Sequence, residues 1–498
     1  MSESGDSGSR RVRRAGPRWR PRHIIALIVV AVMAAVIAIT SVVIAQLGIL
    51  PPTYLWVVIG ADILLGALVT LVLLTVGRHG HTVRYGVSLG LALVLIAGNL
   101  IALKVGSDYA HFTEVLQPTT ESVQYDIVAR TDGPASLAAI IGAEVPADST
   151  DELYQGVITH VKEIVSVVVV GLVGQQSLVD AVVNGDSKAA IIQETYLQDV
   201  AEGDPTVYQQ LKVLATFSVP VTDTGPGVTP PPTTTPTPPP DADAPYIVYI
   251  SGIDVAGPIA TRSRSDVNIL MVVNPHTGQI LLVTTPRDFY VQLAGIDTPL
   301  KDKLTHAGVY GIDTSIGTMN NLYDISIDYY LRINFSSLVQ VVDTLGGVDV
   351  NSAYDFSAAG YTFHQGINHL DGAAALAFSR DRHSFATGDR VRGQNQEAVI
   401  TAIIARLTDP SVLARYDQIM TAVAGAVQTS MPPQTISAQV QRQLANGTKW
   451  AVTSISVNGA DGSEYTYSYP HQKLYVMIPD QATVDAAKAQ IQATLAGT

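Results

Sequence analysis

YIVYISGIDVAGPIATRSRSDVNILMVVNPHTGQILLVTTPRD, Tyr246 to Asp288, holds three apolar runs, YIVYIS, VNILMVV and QILLVTT, separated by Gly- and Pro-containing stretches. Runs of this length, rich in β-branched and aromatic residues, read as strands. YYLRIN (Tyr329 to Asn334) reads as a fourth, whereas SSLVQVVDTL, GAAALAF and QEAVITAIIARL read as helices. The alternation predicts an α/β domain over residues 246–415, with a central β-sheet flanked by helices. Asp254 follows the first run, and Arg287 and Asp288 follow the third. Open α/β sheets bind ligands beyond the carboxyl ends of their strands, so these residues lie where a site is expected.

Downstream, SRDRHSFATGDRVRGQNQ (Ser379 to Gln396) places Arg380, Arg382, Arg390 and Arg392 within thirteen positions. Upstream, RSRSD (Arg262 to Asp266) and TPRD (Thr285 to Asp288) each set arginine beside aspartate. Planar guanidinium groups match the paired oxygens of a pyrophosphate, and a divalent cation held by carboxylates neutralises charge on a leaving phosphate. Arg264, Arg287, Arg380, Arg382 and Arg392 are the candidates for the first task. Asp254 and Asp266 are those for the second, with Mg2+ or Mn2+ as the ion, and Gln396 is a donor to a phosphate oxygen. The alternative is a set of surface ion pairs, each worth ~0 to 1 kcal/mol. Three such motifs in an arginine-poor domain favour the anion site, because clustered arginines repel unless an anion is present.

Around this domain the chain has 498 residues, 47% of them hydrophobic and 15% charged, with a mean hydropathy of +0.25. That is too apolar for globular mass alone. Three apolar runs, Ile24 to Ala45, Tyr54 to Val76 and Tyr85 to Leu103, are long enough to cross ~30 Å of hydrocarbon, and three transmembrane helices are expected over residues 24–104. Residues 1–23 form a basic tail. Its arginines, with Arg78 and Arg84 in the second loop, put tail and loop in the cytoplasm and the remainder outside. The expectation is a multi-pass membrane protein with its N-terminus in the cytoplasm and the α/β domain outside.

Residues 105–221 read as a small α/β accessory domain, whose scattered Asp and Glu read as solvated surface. TDTGPGVTPPPTTTPTPPPDADAP, filling residues 222–245, reads as an extended polyproline II linker. Residues 416–498 read as a C-terminal extension packed on the α/β domain. The net charge of −13 becomes −18 once the tail's seven arginines, Glu3 and Asp6 are set aside, so the bulk of the chain is acidic and no nucleic-acid partner is expected. Cysteine is absent, which removes disulfides, thiolate metal sites and cysteine nucleophiles. A P-loop and a His-Glu-x-x-His helix are absent too, and His306, His364, His369 and His383 lack metal-ligand spacing.

The ordered motifs between Tyr246 and Arg406 allow a comparison with a known family. They are the Gly-Ile-Asp turn at Gly252, RSD at Arg264, PRD at Pro286, DKLTHAG at Asp302, DYYLRINF at Asp328, VVDTLGGVDV at Val341, LDGAAALAFSRDRH at Leu370 and GDRVRGQNQ at Gly388. The domain so marked resembles the LytR-CpsA-Psr (LCP) family of cell-wall glycopolymer ligases, and the flanking parts look like its CpsA-type branch, associated with capsular polysaccharide. DKLTHAG stands where Lys/Arg-Ile-Asn-x-Ala is frequent, and GDRVRGQNQ adds an arginine.

The resemblance implies a phosphotransferase anchored in the bacterial plasma membrane as a multi-pass protein, with its catalytic domain extracellular. Such an enzyme moves a glycopolymer, capsular or another secondary wall polysaccharide, from a polyprenyl-pyrophosphate carrier to a peptidoglycan hydroxyl. By motif, Asp254 and Asp266 would bind Mg2+. Arg264, Arg287, Arg380, Arg382 and Gln396, with Arg392 beside them, would bind the pyrophosphate. Asp266 and Arg287 are the residues expected to act in catalysis, and Phe335, Leu338 and Val342 are candidates for a polyprenyl tunnel. The polymer export machinery is a further expected partner. Two other readings remain open: a polyprenyl-pyrophosphate hydrolase, and a non-catalytic membrane regulator of envelope synthesis.

Overall fold

The structure is a computed structural model that describes residues 52–75, 120–222, 244–253, 258–381, 384–385, 388–407 and 427–498, with isolated positions between 31 and 42 and between 90 and 100. The chain divides into two compact units, Met1–Ala110 and His111–Thr498.

In the first unit, helix α1 (Pro52–Thr75) is the longest described element. Three membrane-spanning helices are not borne out, since among the described residues no helix is long and apolar enough to cross a membrane. Most of the first and third apolar runs lies outside the described residues. The second carries Asp62 and the small or polar Gly60, Gly66 and Thr70 among its apolar side chains, and a mid-helix carboxylate costs about 2.5 to 3.5 kcal/mol in hydrocarbon. The multi-pass plasma-membrane localisation, which rested on those three helices, is overturned with them. The basic tail and nearly all of the 222–245 linker also lie outside the described residues.

Among the described residues the second unit contains two six-stranded sheets and four two-stranded ones. In the first, β1 (Ser122–Arg130), β2 (Glu144–Asp148), β3 (Val168–Leu172), β4 (Ala190–Gln193) and β5 (Leu211–Pro220) take the order β3-β2-β4-β1-β5. Helices α2 (Tyr154–Ile164), α3 (Gln175–Val183) and α4 (Glu194–Gly203) accompany it. Val157 and Val161 of α2 bury with Ile127, Val145 and Ile191 of the sheet, while Leu178, Val179 and Val182 of α3 bury with Val128 and Ile192.

The second sheet confirms the strand reading of Tyr246–Asp288. Strands β6 (Tyr246–Ile253), β8 (Ser265–Asn274) and β9 (Gln279–Thr284) form antiparallel neighbours in sequence order. β10 (Tyr329–Asn334) lies parallel to β6 on the other side. Short β11 (Val427–Thr429) and β12 (Ala451–Ser456) close the two edges, giving the order β11-β10-β6-β8-β9-β12. Every residue of β6 is buried, as its unbroken apolar run requires of a strand covered on both faces.

One face packs on α5 (Ile312–Tyr323) and the C-terminal helix α9 (Gln481–Ala496), through Leu270, Val272, Met319, Val484 and Ile491. The other carries α8 (Gly388–Leu407), whose Ile400 and Ile404 meet Ile250, Ile269 and Leu282. Helices α6 (Phe335–Leu345) and α7 (Gly372–Arg380) start at designed caps: Asn334 accepts from the Ser337 N–H at 2.8 Å and Asp371 from the Ala374 N–H at 2.8 Å. With α8 they enclose a separate core of Val342, Leu345, Phe378 and Val399.

Three contacts weld the two sheets into this unit. β7 (Thr261–Arg262), immediately before the RSD motif, adds to the first sheet as a parallel partner of β1. Glu121, just ahead of β1, pairs with Arg262 at 2.8 Å and with the fully buried Arg332 of β10 at 3.1 Å. A buried cluster joins Tyr196, Leu197 and Val200 of α4 to Tyr469 and Leu474.

A 3-10 segment, Leu304–Tyr310, then lies across the start of β8. It comes this close because Gly308 has no side chain: a Cβ there would stand 2.4 Å from the Ser263 carbonyl oxygen and 2.9 Å from the Ser265 nitrogen. Replacing Gly308 by Ala is therefore expected to lower stability by about 1 to 3 kcal/mol, the usual cost of overpacking. Urea unfolding of wild type and variant measures it.

Candidate functional site

The chain turns that end β7 and β9 face the 3-10 segment, and each delivers charged side chains into one buried cluster. Arg264 and Asp266 come from the start of β8, Arg287 and Asp288 from the turn after β9, and Asp302, Lys303, Thr305 and His306 from the DKLTHAG stretch. All of them except Arg287 and Asp266, which are nearly so, are buried. Arg287 Nη1 donates to Asp266 Oδ1 at 2.9 Å, and Thr305 Oγ1 donates to the same oxygen at 3.2 Å. Lys303 Nζ sits 2.7 Å from Asp288 Oδ1, and Arg287 Nε lies 3.5 Å from Asp288 Oδ2.

Two further carboxylates enter from α4 in the other sheet's layer. Asp199 pairs with Arg264 Nη2 and lies 3.1 Å from His306 Nε2. Glu202 accepts from Arg264 at 2.7 Å and Arg287 at 3.4 Å on Oε1, and from Lys303 at 2.9 Å on Oε2. Asp199 and Glu202 are three positions apart, so one helix face presents both. His306 completes the cluster with Nδ1 at 2.6 Å from Asp302 Oδ1, while Asp302 Oδ2 accepts from the Ser468 N–H and hydroxyl at 2.9 and 2.6 Å.

The electrostatics follow from this pairing. Burial opposes ionisation of Asp266, but Arg287, Arg392 and Arg264 together hold it below the ordinary carboxylate range. Burial likewise opposes charge on Glu202, and Arg264, Lys303 and Arg287 override it, leaving the carboxylate ionised. For His306 burial favours the neutral ring, yet Asp199 and Asp302 on its two nitrogens push its pKa up to about 9.

Of the residues expected from sequence, Arg264, Asp266 and Arg287 meet in this cluster. Arg392 and Gln396 are both buried, one turn apart on α8, and the Arg392 charge acts on Asp266. Asn395 ties that helix to α7 by donating to the Phe378 carbonyl at 3.1 Å. Arg380 is exposed at the end of α7. Asp254 and Arg382 lie outside the described residues, as do the side chains of Arg390 and Phe335. Leu338 is half-buried and Val342 fully buried in the α6–α8 core.

Sequence reasoning missed Lys303 and the carboxylates Asp199 and Glu202. Asp199 was expected on a solvated surface and is buried instead, because the buried Tyr196, Leu197 and Val200 turn this face of α4 inward. The DKLTHAG stretch puts Lys303 and His306 in the cluster. Their nearness to Asp302 in the chain was an available signal.

Asp266 is the only member of the expected Asp254–Asp266 metal pair among the described residues. As a hard oxygen donor it suits Mg2+. Among the described residues no group of three or more His, Asp or Glu is arranged to hold a metal ion.

Comparison with known proteins gives a match of the LytR_cpsA_psr family model to residues 222–491. Similar proteins include the polyisoprenyl-teichoic acid–peptidoglycan teichoic acid transferase TagU of Bacillus subtilis (strain 168), 35% identical over 188 residues, which are 38% of this chain and 60% of the relative. TagU of Bacillus mycoides (strain KBAB4) is 30% identical over 245 residues, 48% of this chain and 76% of the relative. The match thus spans 60% of the length of the first of these curated relatives. Among solved structures, B. subtilis TagV aligns with 51% of this chain and 98% of its own, at 26% identity and a TM-score of 0.43.

The His306 pairing makes stability depend on pH. Its folded pKa of about 9 lies above the ordinary value of 6.5, so the protonated ring stabilises the fold fully below pH 6.5. That contribution is lost as pH rises through 9. Thermal unfolding is expected to show a falling melting temperature between pH 7 and 10, and His306→Gln is expected to flatten this dependence.

Proposed function

The chain belongs to the LytR_cpsA_psr family, and on that premise we propose that it transfers a wall glycopolymer from a polyprenyl-pyrophosphate carrier to a peptidoglycan hydroxyl. The polymer is a capsular or other secondary wall polysaccharide, joined through a phosphodiester. The observation that carries the reading is the convergence of Arg264 and Arg287 from separate turns of the sheet onto one carboxylate-buttressed point, with Arg392 beside it. The names of the similar transferases supply the substrate class.

On this reading Arg264, Arg287, Arg380, Arg382 and Arg392 grip the two phosphates, with Gln396 as a further donor. Their charge falls where negative charge grows on the departing polyprenyl phosphate as the sugar hydroxyl, losing its proton to water, attacks the other phosphorus in line and the bond from that phosphorus to the bridging oxygen breaks. Asp266 fixes the Arg287 guanidinium through the 2.9 Å contact, so that the fork is set before the donor arrives. A carboxylate held below its ordinary range is a weak base, which suits Asp266 to orientation better than to taking the proton. Mg2+, or Mn2+, would be held by Asp254 and Asp266 and would neutralise charge on the leaving phosphate.

The test uses the full chain with a polyprenyl-pyrophosphate oligosaccharide, Mg2+ and peptidoglycan, and reads the phosphodiester conjugate. Arg287→Ala is expected to lower transfer by about 100-fold or more, the scale of losing one charge-stabilising donor. Absence of conjugate with the wild type, or an unimpaired Arg287→Ala, would overturn the proposal. Release of phosphate without conjugate would favour a hydrolase. EDTA is expected to abolish transfer, and restoration by Mg2+ is expected to follow; transfer indifferent to EDTA removes the metal from the mechanism.

A further inference from the structure

We infer that Glu202 is an internal competitor for the anion site. Its carboxylate holds the place on Arg264, Arg287 and Lys303 that a phosphate of the donor takes, and donor binding displaces it. The inference rests on the pyrophosphate reading of these arginines given above.

The two oxygens of Glu202 bridge three cations at 2.7, 2.9 and 3.4 Å, a pattern in which one tetrahedral phosphate serves equally well. Asp199 is different in kind. It is short, its side chain is 5% exposed, and it is locked between Arg264 and His306 as a permanent counter-ion. The Glu202 side chain is 32% exposed at the rim, and its extra methylene gives it a path to water.

Charge balance within the buried cluster favours the exchange. Among the described residues, Asp199, Glu202, Asp266 and Asp288 face Arg264, Arg287, Lys303 and Arg392, while Asp302 answers His306. An incoming phosphate meets a neutralised cluster until a carboxylate leaves, and Glu202 is the one at the rim.

The seat of this residue is built for the purpose of close approach. Tyr196, Leu197 and Val200 clamp α4 against Tyr469 and Leu474, and the next residue, Gly203, lies so near them that a Cβ would stand 2.7 Å from the Tyr469 ring and 3.0 Å from Leu474. Glu202 also lies outside residues 222–491, so it reaches the site from a part of the chain that the family model does not cover.

Titration calorimetry of the full chain with inorganic pyrophosphate tests this. Glu202→Gln is expected to bind about ten-fold more tightly than the wild type, a change of roughly 1.4 kcal/mol. Gly203→Ala, which keeps the charge but lifts the helix end off Tyr469, is expected to shift affinity the same way. Equal or weaker binding by Glu202→Gln, with binding still lost on adding Arg287→Ala, would mean that Glu202 merely positions the arginines, and the inference fails while the pyrophosphate site stands. Binding that is absent throughout, or that Arg287→Ala leaves unchanged in both backgrounds, overturns the pyrophosphate reading and this inference together.

Discussion

Cations crowded into a buried cluster need counter-charge, and the arrangement of this chain around residues 264–306 follows from that need. Two unit charges of like sign 4 Å apart repel by ~4 kcal/mol at an effective dielectric of 20. Arg264, Arg287 and Lys303 all lie within ion-pair distance of one carboxylate, Glu202, so they lie close to one another as well. The fold offsets their repulsion with carboxylates on fixed elements: Asp266 from a strand, Asp288 from a turn and Asp199 and Glu202 from a helix in the other layer. Removing one partner of such a buried pair strands the other charge, which makes these pairs costly to break even where their net contribution to stability is small.

The same need explains why the two sheets form one unit. β7 leaves the β6–β8 connection to add onto β1, and Glu121 anchors both Arg262 and the buried Arg332. Once β1 is held there, α4 lies over the cluster, and its apolar residues meet Tyr469 and Leu474 from the far end of the chain. Segments well over 200 residues apart in sequence thereby complete a single charged site.

This geometry also decides what was legible in the sequence. The strands of the second sheet were, because YIVYIS, VNILMVV and QILLVTT are unbroken apolar runs and their burial depends on local composition. Arg264, Asp266 and Arg287 were legible as candidates because they flank those runs in a domain with few other cations. Asp199 and Glu202 were not: an amphipathic helix has a polar face whatever that face meets, and only the docking of α4 distinguishes solvent from arginine. The membrane expectation failed on the helices themselves: among the described residues none is long and apolar enough to cross a membrane.

A site neutralised by its own carboxylates also fits the chemistry proposed for it. A bare cluster of guanidinium groups would hold any phosphate tightly, and tight ground-state binding of donor and product alike adds nothing to the chemical step. A carboxylate that contends for the same donors weakens both equally, while Asp199 and Asp266 keep the arginines aligned when the rim residue swings away. Preorganisation thus comes from the short, buried aspartates, and exchange from the longer glutamate at the rim. One methylene and about a quarter of a side chain's exposure separate Asp199 at 5% from Glu202 at 32%, and that difference divides a structural counter-ion from a displaceable one.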